Sequence, residues 1–495
     1  MASCVFPLFS VYNHPLMCTY TRRIRISFLF FLSVFISVFI SACAPVTTHY
    51  AFVDQRLALH DGIGADSAIE KEEGGYGRKS RLLYLLDRGM TLSLAGQSEK
   101  SNHLLNQAAT MADTLYTESL TRSGASFLTN DNILPYAGED FERVMIHLVS
   151  ALNYAQQGEI TEALVECRRL DTKLNSLNNQ YADTKNAYQE DAFARYLSGI
   201  LYESQGDSEG INNAFIAYRK SLAIYGFWAE TYGTPIPEMI GADLLRTTEA
   251  LHLLEEHTAY KKQFPKATWT KISNKKQGEI VIISFNGKSP KKESAYFDIV
   301  IDGNIANAIL RTTLWNAQVG SGNIPFSTIG QLVRIAVPKY VSQKSNIDHL
   351  LVEAKGPVSL SSQSVLMADI TAIAGRSLED RNTRTRIRAL TRATIKALTV
   401  KRAAEKAEEQ IGGGAGFLLG KLAEVAAATS EVADQRSWRT LPDEIHLTRM
   451  VVPVGTYQVT NQFISKQGQT VDALPPQQVV VKAGEKKFLV VRTIH

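Results

Sequence analysis

Three stretches of this 495-residue chain share one spacing, in which a small residue precedes a glycine by seven positions. The pairs are Gly89 and Gly96, Ala151 and Gly158, and Gly199 and Gly206. Leu92, Ser101, Leu105 and Ala108 complete the first stretch; Tyr154, Ala163, Cys167 and Leu170 complete the second at the same steps. The third has Tyr202, then three extra residues after its glycine, then Ala214, Tyr218 and Ser221 in register. An internal repeat constrains a fold more than any local propensity, because one unit cannot bury its apolar face without a neighbour. The residue types suit a helix-turn-helix unit. Small side chains let two helices approach, glycine reverses the chain between them, and the larger residues fill the gap to the next unit. The spacing predicts a helical stack over 81–264, with a long insertion at Thr117–Gly138. Cys167 takes an inter-helix position and reads as an inert buried thiol.

The pattern changes after Pro265. Glu279–Phe285, Tyr296–Ile301, Leu332–Val337 and Asp348–Val352 read as strands, punctuated by Asn286-Gly287 and Asp302-Gly303-Asn304. A helix is expected around Ala306–Gln318. Arg376–Lys406 reads as one long helix with ten Lys or Arg against three acidic residues. Its apolar stripe runs through Ile387, Leu390, Ala393 and Ala397. The basic face suits solvent, or an anionic lipid or acidic partner. Gly412, Gly416 and Gly420, four apart, predict a tight turn and a closely packed helix pair through Ala428. Glu444–Val452, Tyr457–Phe463, Gln478–Val481 and Lys487–Arg492 predict a small antiparallel sandwich at the C-terminus. The expected class is α+β: a helical domain at 81–264, a mixed α/β domain with long helices at 278–433, and a connector with a β-sandwich at 434–495.

The N-terminus constrains location. Arg22, Arg23 and Arg25 precede an uncharged run, Ile26–Ala42, that ends in Ile40-Ser41-Ala42-Cys43. A basic flank, an apolar stretch and small residues before a cysteine resemble a lipoprotein signal peptide over 1–42. Cys43 is then the lipidation site, carrying a diacylglycerol and an N-acyl chain such as palmitate; together these chains hold a protein to a membrane. Ala44 in place of Asp resembles an outer-membrane sorting signal. Met17 offers a shorter start, and 43–80 reads as a linker. The expected location is the outer membrane, lipid-anchored and facing the periplasm. Past the leader, 50 basic residues meet 49 acidic ones, so no nucleic-acid partner is expected. Cys43 and Cys167 are the cysteines left, and with Cys43 acylated they form no disulfide.

Before the sandwich lies Asp434-Gln435-Arg436-Ser437-Trp438-Arg439-Thr440-Leu441-Pro442. With Arg334–Tyr340, Gly158–Arg169 and the lipoprotein cysteine, it resembles a family of bacterial tetratricopeptide-repeat-containing lipoproteins with no assigned enzyme activity. That resemblance implies cell-envelope assembly, since the family's genes often accompany small lipoproteins that regulate peptidoglycan synthases. Trp438, flanked by Arg436 and Arg439, reads either as a plug between domains or as an interface anchor.

Chemical motifs fail. Ala415 and Leu422 stand where a phosphate loop needs Gly and Ser or Thr. His252 and His257 are five apart and diverge on a helix. No catalytic residue, cofactor or metal site is expected. The favoured function is a protein-binding or scaffolding lipoprotein that contacts another envelope protein. The alternative is an envelope hydrolase, for which convergent Ser, His and Asp in an open cleft would speak.

Overall fold

Helix begins at the first described residue. The computed structural model describes residues 48–121, 134–180, 188, 190–269, 276–301, 331–411 and 432–495. The chain divides into Met1–Thr48 and His49–His495, and the fold is that of the second unit. Cys43, the helix expected at Ala306–Gln318 and the glycine-rich turn at 412–428 lie outside the described residues.

α1 (Thr48–Ala58), α2 (Gly62–Lys71) and the single turn α3 (Glu73–Tyr76) occupy what reads in sequence as a linker. They are helices that bury Tyr50, Val53, Leu57, Ala65, Ile69 and Tyr76. Asp61-Gly62 breaks the helical period and Gly74-Gly75, inside α3, interrupts its apolar pattern, which hides it. Asp61 also caps α2, accepting the Gly64 N–H at 2.7 Å.

The helical hairpins α4 (Arg81–Leu94) with α5 (Ser98–Thr121), α6 (Asp140–Gln157) with α7 (Ile160–Gln180), and α8 (Ala192–Glu203) with α9 (Ser208–Thr231) follow the repeat. Gly96, Gly158 and Gly206 sit at the turns with φ of 71°, 80° and 76°, where a Cβ is strongly disfavoured. A Cβ on Gly89 would lie 2.5 Å from Leu105, and one on Gly199 2.4 Å from the Tyr218 ring. The small residues therefore set the helix-to-helix approach, as the spacing implies. A further hairpin, α10 (Glu238–Ala250) with α11 (Leu254–Gln263), escapes the spacing. Its turn uses His252 at φ 57° where the others use glycine.

Strands β1 (Gln277–Asn286), β2 (Lys291–Ile301), β3 (Gln331–Val341), β4 (Ile347–Lys355), β5 (Ser359–Gln363) and β6 (Val365–Asp369) lead into helix α12 (Ile370–Ile411). β7 (Glu444–Pro453), β8 (Gly455–Ser465), β9 (Thr470–Val481) and β10 (Lys486–Thr493) follow. The order is β10-β1-β7-β6 in one sheet and β5-β4-β8-β9 in another, with β2-β3 as a separate ribbon. The C-terminal strands are thus not a module of their own. β7 and β10 flank β1, and β8 pairs with β4, so the expected boundary at 433/434 cuts through both sheets. Nor is the sandwich wholly antiparallel, since β1 and β10 run parallel. Short-range patterning finds strands but not their partners across 150 residues of chain.

β1 is buried on both faces, and its alternation sorts the layers. Ile280 and Ile282 join Val352, Tyr457, Phe463 and Val481 between the two sheets. Val281, Ile283 and Phe285 face the other way and share one core with the helical hairpins. The order of layers is helices, sheet, sheet. On the ribbon, Val333, Ile335 and Val337 pack against Ala389 and Ala393 of α12.

Candidate functional site

The first helices of the repeat hairpins, α4, α6 and α8, are buried along most of their length. Stacks of this kind commonly offer such a face to a peptide or a partner helix. Here the chain fills it with its own residues. The sheet face of β1, β7 and β10 packs there, and so does the segment Asp434–Asp443.

That segment is held much as a bound peptide would be. The Trp438 N–H donates to Glu142 Oε1 at 2.7 Å, and its indole Nε1–H donates to Thr440 Oγ1 at 2.8 Å. The Thr440 hydroxyl donates in turn to Asp87 Oδ1 at 2.9 Å. Tyr50 and Tyr76 hydroxyls donate to the other Asp87 oxygen at 2.6 and 2.9 Å. Arg436 pairs with Asp434 through two bonds, of 2.8 and 2.7 Å. Its Nη1 also reaches the carbonyls of Lys79 and Leu134. Arg439 lies over the Tyr50 ring, 5.0 Å from its centroid. From the sheet side, Ser289 donates to the Trp438 carbonyl, and Arg492 donates to those of Thr440 and Leu441. Trp438 is 1% exposed, so its indole is closed to other proteins in this conformation.

Two carboxylates at this junction lie near each other with opposite environments. Burial, reinforced by the charge of Glu139, raises Glu142 to about 7. Burial also opposes ionisation of Glu139, but Arg381 and Lys292 outweigh it and hold that carboxyl down at about 2. Burial likewise raises Asp87. The sequence signal for Asp87 is an acidic side chain directly after the apolar run Leu82–Leu86; Glu142, among Glu139, Asp140 and Arg143, carries no such signal.

A second polar junction joins helices to sheet. Arg449 of β7 contacts Asp243 at 2.7 Å, Glu279 at 2.5 Å and Glu203 at 3.3 Å. Arg246 and Lys486 complete a set of three cations against three carboxylates. A cleft of about 500 Å³ opens beside it.

Ser364, His446 and Glu444 form a chain that looks like a hydrolase triad: Ser364 Oγ to His446 Nδ1 at 3.4 Å, His446 Nε2 to Glu444 at 3.2 Å. Ser364 and His446 are 8% and 3% exposed, and Ser364 Oγ accepts the Leu350 N–H at 2.8 Å. This serine is spent on closing the backbone beside β4, with no face open to a substrate. His252 sits at a turn, whereas His257 lies in α11 within 3.1 Å of the Leu245 carbonyl, so the two do not converge. Among the described residues, no three His, Cys, Asp or Glu side chains gather as a metal site. Cys167 is buried, and burial pushes its thiol up to about 12. Among the described residues, no helix is long and apolar enough to cross a membrane.

One wide cleft opens on the outer side of the first hairpin. It holds about 1030 Å³ between α5 and the stretch Glu73–Leu82. Leu82, Met111 and Leu115 line it, with Arg78, Lys79 and His103 among its polar residues.

No family model matches the chain, and no curated protein matches it. Among solved structures, two crystal structures of MamA align at 16% identity, each with a TM-score of 0.28. One alignment covers 43% of this chain and 92% of that chain; the other covers 44% and 89%. A superposition that loose carries no argument about function.

Proposed function

We propose that this protein is a non-catalytic envelope lipoprotein, acylated at Cys43 and held at the outer membrane facing the periplasm. Its tetratricopeptide-like hairpins bind or scaffold another envelope protein. The observation that supports binding most directly is the division of the stack into two sides. The inner side is filled by the chain itself, while the cleft between α5 and Glu73–Leu82 is open among the described residues, apolar at Met111 and Leu115, and wide enough for a partner segment. The surface on offer is α5 together with the segment that leads into α4.

A photoreactive residue placed at exposed Thr110 in the full-length protein tests this in cells. Crosslinks to one envelope protein, lost on Asn106→Glu, are the expected result. A Thr110 probe that captures nothing, with normal protein levels, would overturn the reading. The anchor has its own test. Cys43→Ala should leave an unacylated precursor, whereas unchanged size and unchanged flotation with outer membrane would refute acylation at Cys43.

A further inference from the structure

The first two helices carry an apolar outer face that the fold does not use. Phe52, Leu59 and Ile63 are 44%, 66% and 58% exposed. Phe52 and Leu59 are seven residues apart, which places them on one side of α1 as it ends, and Ile63 follows in the first turn of α2. Ala51 and Gln55 extend the same exposed side. The neighbouring charges are engaged elsewhere. Asp54 pairs with Lys288 at 3.1 Å, Asp61 caps Gly64 and pairs with Arg56 at 3.2 Å, and Asp66 is held by Arg88. Arg56 itself lies 4.8 Å over the Phe52 ring. The helices are fastened to the body on either side of the turn between them. His60 contacts Asp472 at 3.0 Å, and a Cβ on Gly62 would meet Ala95 at 2.7 Å. The exposed face is therefore held in a fixed orientation.

We propose that this face rests on a phospholipid surface and acts as a second membrane contact beside the lipid anchor. The inference rests on the reading of Cys43 as the acylated residue. Only five peptide steps separate Cys43 from Thr48, where α1 begins, and they can span at most about 18 Å. An acylated Cys43 thus keeps the start of α1, with Phe52 one turn in, within reach of headgroups. An amphipathic helix with aromatic and aliphatic side chains on its outer face lies in the interface, with that face sunk into the headgroup–acyl boundary and a cation such as Arg56 at headgroup level. The acyl chains attach the protein, and the apolar face beside them fixes its orientation. The hairpins then project from the bilayer at a set angle.

The test uses the full-length protein, purified with its anchor and reconstituted into phosphatidylethanolamine–phosphatidylglycerol vesicles. Leu59→Cys carries an environment-sensitive fluorophore, Lys220→Cys on α9 serves as the distant control, and brominated lipids are the quencher. Quenching at position 59 should exceed that at 220 by roughly threefold or more, and adding Phe52→Glu and Ile63→Glu should bring it down to the control level. Equal quenching at both positions in acylated protein would overturn the proposal. So would energy transfer between labelled copies without lipid quenching, which would mean that a second copy covers the face. The mass of the N-terminal peptide reports acylation separately. An unacylated chain still quenched at position 59 would support the lipid contact and refute the anchor; an unacylated chain without quenching would refute both.

Discussion

Trp438 shows how much one residue can depend on surroundings that are distant in sequence. Its neighbours in sequence suit a plug or an interface anchor equally. Its surroundings, Glu142 from α6, Ser289 near β1 and Thr440 bridging to Asp87, make it the point where helices, connector and sheet meet. Trp438→Ala should cost about 3–5 kcal/mol, read as a lowered denaturation midpoint. Glu142 gives the same junction a pH response. Its folded value, about 7, lies above the ordinary 4.5, so the folded state holds a proton that the unfolded state releases between those values. The stability this contributes is complete below about 4.5 and is lost as pH rises through 7. Glu139 works in the opposite direction. Its folded value, about 2, makes its contribution present above 4.5 and lost as pH falls toward 2. Between pH 5 and 8 Glu142 contributes a fall in melting temperature while Glu139 contributes none, and Glu142→Gln should flatten that fall. An equal slope in wild type and variant would remove Glu142 from the explanation.

The hairpin is the element in which sequence and structure agree best. The turn glycines and the small residues seven positions earlier do different jobs, one conformational and one steric, and both are set by local geometry. Two glycines on the same hairpin separate steric from conformational effects. A Cβ on Gly199 would collide with the Tyr218 ring at 2.4 Å, whereas one on Gly226, inside α9, would meet nothing within 4 Å. Gly199→Ala should destabilise by about 1–3 kcal/mol through forced repacking. Gly226→Ala should stabilise by about 0.5–1 kcal/mol, because alanine loses less backbone entropy in a helix. Chemical denaturation of the two variants should move the midpoint in opposite directions. The hairpin at α10 and α11 shows the limit of this legibility. With His252 at its left-handed turn, the glycine that signals the unit is missing, though the chain still turns there.

At the scale of the whole molecule, helices and sandwich form one cooperative body. β1 contributes to both cores, and Arg449 ties Asp243 and Glu203 of the helices to Glu279 of the sheet. Residues 434–495 expressed alone lack β1 and β4, the partners of β7, β8 and β10, and should show the narrow amide dispersion of an unfolded chain. A well-dispersed spectrum would restore the idea of an independent module. Arg449→Met should cost about 3–5 kcal/mol in the full protein, since it leaves three buried carboxylates facing only Arg246 and Lys486. By itself the sequence determined what periodicity and local sterics can specify: the helical repeat, its turns, the long basic helix, the positions of eight strands and the export signal as an expectation. Only the tertiary structure decided which strands pair, because pairing over long loops depends on complementary faces, not on neighbours in the chain. It also decided that the inner face of the hairpins is filled from within. A groove reads the same in sequence whether it is empty or occupied, and what fills this one includes Trp438, 296 positions further along the chain than its partner Glu142.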